Sequence, residues 1–356
     1  MSTRQPIGGA PSWRGAEVQA STEWMYRLSP DERAEIEAAR QHFIAVGVAE
    51  LDASQADFPL PSLGAKFRRL MRQAEYGGGF LLIRNLPIEN LTEAEVRTVY
   101  WGISLHIGVV VPQSAEFEMM GDVRNRNDDM QVTRRGYRSN ADLHFHTDSA
   151  DVVMLLCRRK AKAGGFSLVA SAAAIHDHLL ETRPDLLEAL YLPAPIKAID
   201  PNSPHVYYMC PIFDVHDGYF YSRFQAISYP IKFKFENGPE LTPLQIEGIE
   251  AVRTLAREPR FHFHMQFESG DLQVLFNHLV YHGRGEFEDH EEHDLKRHVL
   301  RMWASIPTDR ELPKSWEEAY VSRAPYTLRG GEREWRFPDR FGDYYRRTAA
   351  NLGMKV

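Results

Sequence analysis

His146, Thr147 and Asp148 place an imidazole and a carboxylate, both common metal ligands, at positions i and i+2. On a strand such side chains leave the same face, with Cα atoms under about 7 Å apart, so one ion can take both. A facial metal site needs a third ligand from elsewhere in the fold. His282, in FNHLVYHGRGEF at the end of a strongly apolar strand, is the best candidate. The pair is not rare by itself. With 15 His and 49 acidic residues in 356 positions, chance supplies roughly two His-x-acid pairs, and the chain has two. The other, His290 and Glu292 in EFEDHEEHD, lies in a charge run that reads as a solvated loop. His146 stands instead in ADLHFHTDSADVVMLL, where polar residues lead directly into an apolar strand. The residues alone leave three readings open: a ligand pair, a histidine satisfying a core hydrogen bond, or a cupin-like His-x-His set that includes His144.

Several elements must position these residues. Ser29-Pro30-Asp31-Glu32 reads as a helix start, with a capping serine, proline at the first position and glutamate at the third. A second helical pattern through Leu63, Phe67, Leu70 and Met71 ends at Gly77-Gly78-Gly79, and GFLLIRNLP follows as a strand. Thr92 and Glu95 make another capping box, and Thr242-Pro243 opens a helix through about Arg257. DVVMLLCRR, FSLVAS, FHFHMQF, LQVLFNHLVYH and RHVLRMWASI read as strands. VYYMCPIFDVHDGYFYSRF reads as a hairpin turning at Asp217-Gly218. Many strands with a few inserted helices predict a mainly β protein, an antiparallel barrel or sandwich with helical additions. The first 28 residues read as an arm on the surface.

Composition narrows the function classes. The chain carries 43% hydrophobic residues, a formal charge of −7 and a pI near 6.1, which disfavours nucleic acid and anionic membranes as partners. Two cysteines, Cys157 and Cys210, are too few for a disulfide framework or a thiolate zinc site. No stretch approaches the roughly 18 to 20 apolar residues that span a membrane, and the N-terminus lacks the apolar core of a secretory signal. A cytoplasmic protein with a small-molecule substrate, assembling as a homo-oligomer, is the expectation.

Four blocks in order, LHFHTD, GGFSLVAS, GDLQVLFNHLVYHGRGEFED and KRHVLRMW, resemble the taurine/chlorophenoxyacetate dioxygenase family, relatives of clavaminate synthase. Those proteins are Fe(II)- and 2-oxoglutarate-dependent oxygenases on a double-stranded β-helix (jelly roll). The resemblance runs from about Gly79 to Ile306. It implies a core at 76–310 with a helical insert, preceded by an arm and helical extension at 1–75 and followed by a C-terminal extension at 311–356. It also implies that His146, Asp148 and His282 ligate iron, leaving sites for 2-oxoglutarate and O2. Arg297, fifteen positions after His282, matches the arginine that grips the distal carboxylate of 2-oxoglutarate, and Ser167 matches a hydroxyl assisting it. Arg301, four residues further, matches a residue that meets an acidic substrate group or sometimes the cosubstrate. Strand alternation points the other way: His298, Leu300 and Met302 make an apolar face that leaves both arginines in water.

The implied reaction couples decarboxylation of 2-oxoglutarate, with release of succinate and CO2, to oxidation of an unactivated C–H bond. Hydroxylation is the default outcome, and Asp148 argues against halogenation. Gln113, Arg223 and the segment GDVRNRNDDMQVTRRGYR are pocket or lid material on the substrate side, although Arg134 and Arg135 could equally form a solvated turn. The alternatives are a non-catalytic β-sandwich binding protein and a cupin-type dioxygenase without 2-oxoglutarate.

Overall fold

The computed structural model describes residues 4–114, 116–125, 140–198, 206–225, 228–229, 231, 234–331 and 339–356. The helix starts form as their side chains dictate. Ser29 accepts from the Glu32 amide while Glu32 returns to the Ser29 amide, and Pro30–Val46 follows. The same reciprocal box at Thr92 and Glu95 opens Glu93–Ser104, and Thr242 with Gln245 opens Pro243–Ala256. Helix Leu63–Tyr76 buries Leu63, Phe67, Met71 and Ala74 along one face and stops at Gly77.

Two sheets carry the centre of the molecule. The larger runs in the order Met25–Arg27, Phe80–Arg84, Leu272–Phe276, Val152–Arg159, His298–Ser305 and Val109–Val111, with Gly121–Val123 also paired to His298–Ser305. The smaller runs His262–Met265, Ser167–Ser171, Val280–Arg284, Leu143–His146. Every pairing but Met25–Arg27 with Phe80–Arg84 is antiparallel. Sequence neighbours fall in different sheets, so the chain crosses repeatedly between them.

Four sequence expectations change. The stretch LQVLFNHLVYH is two strands, Leu272–Phe276 in the large sheet and Val280–Arg284 in the small one. Between them the Leu279 amide closes a turn on the Phe276 carbonyl, and the Asn277 amide donates to the Asp151 carbonyl. A continuous apolar run hides this turn because both flanking strands are buried on both faces. The N-terminal arm is not merely superficial: Met25–Arg27 adds a parallel strand, and Trp13 packs edge-on against Phe80 and Phe263. In the VYYMCP part, Tyr207–Cys210 pairs with Ala194–Lys197, while the hairpin is Phe213–His216 with Tyr219–Ser222. Its turn is as expected, with Asp217 and Gly218 both at positive φ. Finally, the His298–Ser305 strand begins after Arg297 and is buried on both faces, with Val299 and Trp303 on the same face as the half-buried Arg301, so an apolar His298–Leu300–Met302 face does not leave the arginines in water. Among the described residues no helix is long and apolar enough to cross a membrane.

The C-terminal part of the chain is locked into this centre by charge. Arg329 Nε lies 2.8 Å from Asp151 Oδ1, with both side chains 2% exposed. Ser305 Oγ and the Ile306 amide donate to the other Asp151 oxygen, and His278 Nε2 lies 3.1 Å from Oδ1. Burial pushes the Asp151 carboxyl up, yet Arg329 and His278 together hold it below the usual carboxylate range. Removing one partner of such a pair strands the other. Arg329→Met should lower the free energy of unfolding by about 3–5 kcal/mol in a urea titration. The double variant Asp151→Asn/Arg329→Met should recover part of that loss.

Candidate active site

His146 is the last residue of strand Leu143–His146, and Asp148 lies just beyond it rather than on the strand. The pair converges because the chain bends there: the Thr147 amide donates to the Phe224 carbonyl, and the Asp148 amide donates to Asn277 Oδ1 at 3.0 Å. His282 sits directly opposite His146 in the ladder, and their ring centroids are 4.3 Å apart. His146 Nε2 is 3.7 Å from Asp148 Oδ1, and His282 Nε2 is 3.5 Å from Asp148 Oδ2. Ligand-capable atoms of all three lie within 4.8 Å of one another. An ion with bonds of about 2.1 Å to each donor spans the two histidine–aspartate gaps.

The protonation pattern suits a metal. His146 Nδ1 is 2.9 Å from the His144 carbonyl, an acceptor, so that nitrogen carries the proton and Nε2 presents a lone pair to the cluster. Burial, reinforced by His282, pushes the His146 imidazolium down to about 4. For Asp148, burial alone would raise the carboxyl, but Arg301 and then His282 and His146 hold it well below the carboxylate range. Two imidazoles and one carboxylate are a donor set that fits Fe(II).

Two further residues hold Asp148, and sequence reasoning missed both. Trp303 Nε1 donates to Asp148 Oδ2 at 2.8 Å, reaching from the large sheet to a carboxylate just beyond a strand of the small one. Asn277 accepts from the Asp148 amide and donates to the Ala150 carbonyl at 2.9 Å. Trp303 stands two positions after Arg301, but an aromatic residue in an apolar strand reads as core. Only its indole proton, which needs a buried acceptor, carried a signal.

Arg297 is 5% exposed, and among the described residues no carboxylate lies within ion-pair distance of its guanidinium. Its Nη1 donates weakly to the Val123 carbonyl at 3.4 Å, and its Cζ lies 5.2 Å from the Phe287 ring centroid. Burial lowers its pKa from the ordinary arginine value. Gly165, at positive φ, makes room for it: a Cβ there would stand 3.3 Å from Arg297 Nε. Ser167 is buried nearby on the small sheet, but its hydroxyl donates to Gln273 Oε1 at 2.8 Å and reaches another acceptor only by rotating.

Arg301 is half-buried, and Gln113 brackets it by accepting from its Nε at 2.6 Å and donating to its carbonyl at 2.9 Å. Gln113 therefore aims Arg301. Arg223, 2% exposed, donates to Ser149 Oγ at 3.2 Å, next to Asp148, and lies over the Tyr320 ring. Of GDVRNRNDDMQVTRRGYR, residues from 126 onward, including Arg134 and Arg135, lie outside the described residues. His144 is exposed beside Asp142 and stands away from the cluster, which removes the cupin-like set.

A second histidine–carboxylate group, Glu93, Asp122 and His298, has comparable spacing. Arg97 reaches both acids, at 3.0 and 2.6 Å, and Arg124 and Arg158 add to the pairing. Three guanidiniums already neutralise these carboxylates, so the group is an ion-pair network.

With this geometry in hand, the comparisons with known proteins decide the class. Residues 23–303 match the family model described as taurine catabolism dioxygenase TauD, TfdA family. The chain belongs to this family. It is 32% identical over 323 residues to FR-33289 synthase of Streptomyces rubellomurinus, covering 88% of this chain and 94% of the relative. It is 28% identical over 310 residues to taurine hydroxylase-like protein SAT17 of Stachybotrys chartarum, covering 85% and 79%. Its fold resembles that of an asparagine oxygenase solved with Fe(II), 2S,3S-3-hydroxyasparagine and succinate, with a TM-score of 0.64, 15% identity and coverage of 80% and 94%. The protein is thus an Fe(II)- and 2-oxoglutarate-dependent dioxygenase, with O2 as the other cosubstrate, and neither the cupin-type nor the non-catalytic alternative is favoured.

Residues that orient a metal ligand tune its affinity. Trp303→Phe keeps the packing but removes the indole donor from Asp148. It should weaken Fe(II) binding by about 10- to 100-fold in an anaerobic titration while leaving the circular dichroism spectrum unchanged.

Proposed function

We propose that the protein hydroxylates a C–H bond of a small anionic or amino-acid-like molecule, with His146, Asp148 and His282 holding the iron. Bound there, Fe(II) with 2-oxoglutarate supplies the oxidising chemistry, releasing succinate and CO2. The observation that carries the reading is Arg297, a buried guanidinium with no carboxylate at ion-pair distance among the described residues. A buried cation of that kind calls for an anionic ligand, and the distal carboxylate of 2-oxoglutarate meets the need. Ser167 assists after turning away from Gln273. The two sheets are read as the halves of a double-stranded β-helix spanning 76–310, with 1–75 and 311–356 as extensions packed on it.

On the substrate side, Arg301 points its charge toward Asp148 and is aimed by Gln113, so it suits a carboxylate, sulfonate or similar group held next to the metal. Arg223, anchored at Ser149, adds a second cation along the same wall. The names of relatives support this class: one is taurine hydroxylase-like, and the asparagine oxygenase holds a hydroxylated amino acid. The residues around the cluster keep it dry and fix the ligands, so that the substrate is presented to a preformed centre.

A screen of amino acids, sulfonates and aryloxy acids, scored by succinate release with Fe(II) and 2-oxoglutarate, tests the reading. At least one anionic substrate should raise succinate above the uncoupled background, and EDTA should abolish it. If no class of compound does so with iron-loaded protein, the proposal fails. Arg301→Gln should raise the KM for the anionic substrate by about 10- to 100-fold while moving the KM for 2-oxoglutarate far less.

A further inference from the structure

Strand Tyr219–Ser222 runs on into Arg223, Phe224 and Gln225, and these residues are fastened to the stretch that carries Asp148. The Thr147 amide donates to the Phe224 carbonyl at 2.7 Å, and the Phe224 amide donates to Thr147 Oγ1 at 3.1 Å. Arg223 and Gln225, on either side of Phe224, both reach Ser149, the residue after Asp148. Arg223 Nη2 donates to Ser149 Oγ at 3.2 Å, and Gln225 Nε2 donates to the same oxygen at 2.9 Å. A polar corner beside Asp148 is thus built around one hydroxyl. All of it is buried, with Ser149 and Gln225 each 6% exposed and Arg223 2% exposed.

The hydrogen bonds leave a defined remainder. Gln225 Nε2 also donates to the Thr147 carbonyl at 3.4 Å. A carbonyl only accepts, so that end of the amide is the nitrogen and the other end is Oε1. Gln225 Oε1 is buried without a hydrogen-bond partner among the described residues, and so are Arg223 Nε and Nη1. Ser149 Oγ has both lone pairs taken by Arg223 and Gln225, which leaves its proton to give. The groups around Arg223 include Tyr320, Cys210 and Tyr229, and burial pushes these phenols and this thiol up, so they bring no negative charge at neutral pH. The corner therefore offers one bare acceptor next to cationic and hydroxyl donors. A plain carboxylate or sulfonate satisfies the donors but leaves Gln225 Oε1 unpaired, which is costly in a buried place. An anion with an ammonium group close by satisfies both.

We propose that Gln225 is a specificity-determining residue whose Oε1 accepts from the ammonium group of the substrate, while the adjoining anionic group is met by the arginines of the same wall. The substrate is then an α-amino acid, and amine-free sulfonates and aryloxy acids are poor ligands. The inference rests on the hydroxylation reading given above and narrows its substrate class.

The test compares two matched panels on the enzyme supplied with Fe(II) and 2-oxoglutarate. One panel is the proteinogenic L-amino acids, and the other is the carboxylic acids that keep each side chain but carry hydrogen in place of the ammonium group. Succinate release gives KM for compounds that turn over, and competition gives Ki for those that do not. At least one amino acid should bind about 10- to 100-fold more tightly than its deaminated partner. Gln225→Met, which keeps the bulk and removes the acceptor, should erase that preference by weakening the amino acid and leaving the deaminated acid within about threefold. The wild-type comparison carries the test by itself if this variant does not fold. If the deaminated acids, or sulfonates and aryloxy acids without an amine, match the amino acids, the inference is overturned while the hydroxylation reading stands. Retention of the preference in Gln225→Met, or equal loss of both partners, also overturns it, the latter because it marks a structural role. If no compound of any class releases succinate from iron-loaded protein, the hydroxylation reading fails and takes the inference with it.

Discussion

The Asp148 carboxylate is the joint on which the rest depends. It is buried, ionised and shared between the two sheets: His146 and His282 from the small sheet, Trp303 from the large one, and Arg301 beside it. A buried carboxylate is costly unless it is fully paired, and here two imidazoles, an indole proton and a guanidinium surround it. The backbone around it is equally fixed, since Asn277 bonds both the Asp148 amide and the Ala150 carbonyl. Three residues on, Asp151 anchors the same loop to Arg329, the Ser305 hydroxyl and the Ile306 amide. The C-terminal part of the chain thus anchors the loop that carries the Asp148 carboxylate.

Around that joint the charges are sorted by function. Carboxylates in the Glu93–Asp122–His298 network are matched by arginines and need nothing more. The arginines near the cluster are distributed differently. Arg297 is buried with no described carboxylate at ion-pair distance from its guanidinium, although its amide donates to Asp289 Oδ1 at 2.6 Å, and Arg301 is aimed by a neutral glutamine. These cations coexist with a net negative protein because the excess acids lie elsewhere. Overall acidity therefore disfavoured polyanions without describing the site.

Helix starts were readable because a capping box is a local object: Ser29 with Glu32, and Thr92 with Glu95, satisfy each other across three residues. The same holds for the Asp217-Gly218 turn, where two positive φ angles demand such residues. Sheet partners were not readable. LQVLFNHLVYH looked like one strand because apolar content says nothing about which sheet receives it, and the turn at Asn277 is made by contacts with Ala150 and Asp151, more than a hundred residues away. Alternation misjudged Arg297 for a related reason: the strand it leads into is buried on both faces, so the face opposite the apolar one is not in water.

By itself the sequence determined the identity of the chemistry. Four ordered blocks named the family, and within them stood His146, Asp148, His282, Arg297 and Arg301. The histidine–acid pair alone carried almost no information, since chance supplies roughly two such pairs in a chain of this composition. Only the tertiary structure decided that these side chains meet: His282 falls opposite His146, Asp148 bends back beyond the strand, and Trp303 crosses between sheets to hold it. The reason is physical. Ligand type is a property of one residue, whereas ligand spacing, protonation and burial belong to contacts between strands far apart in the chain.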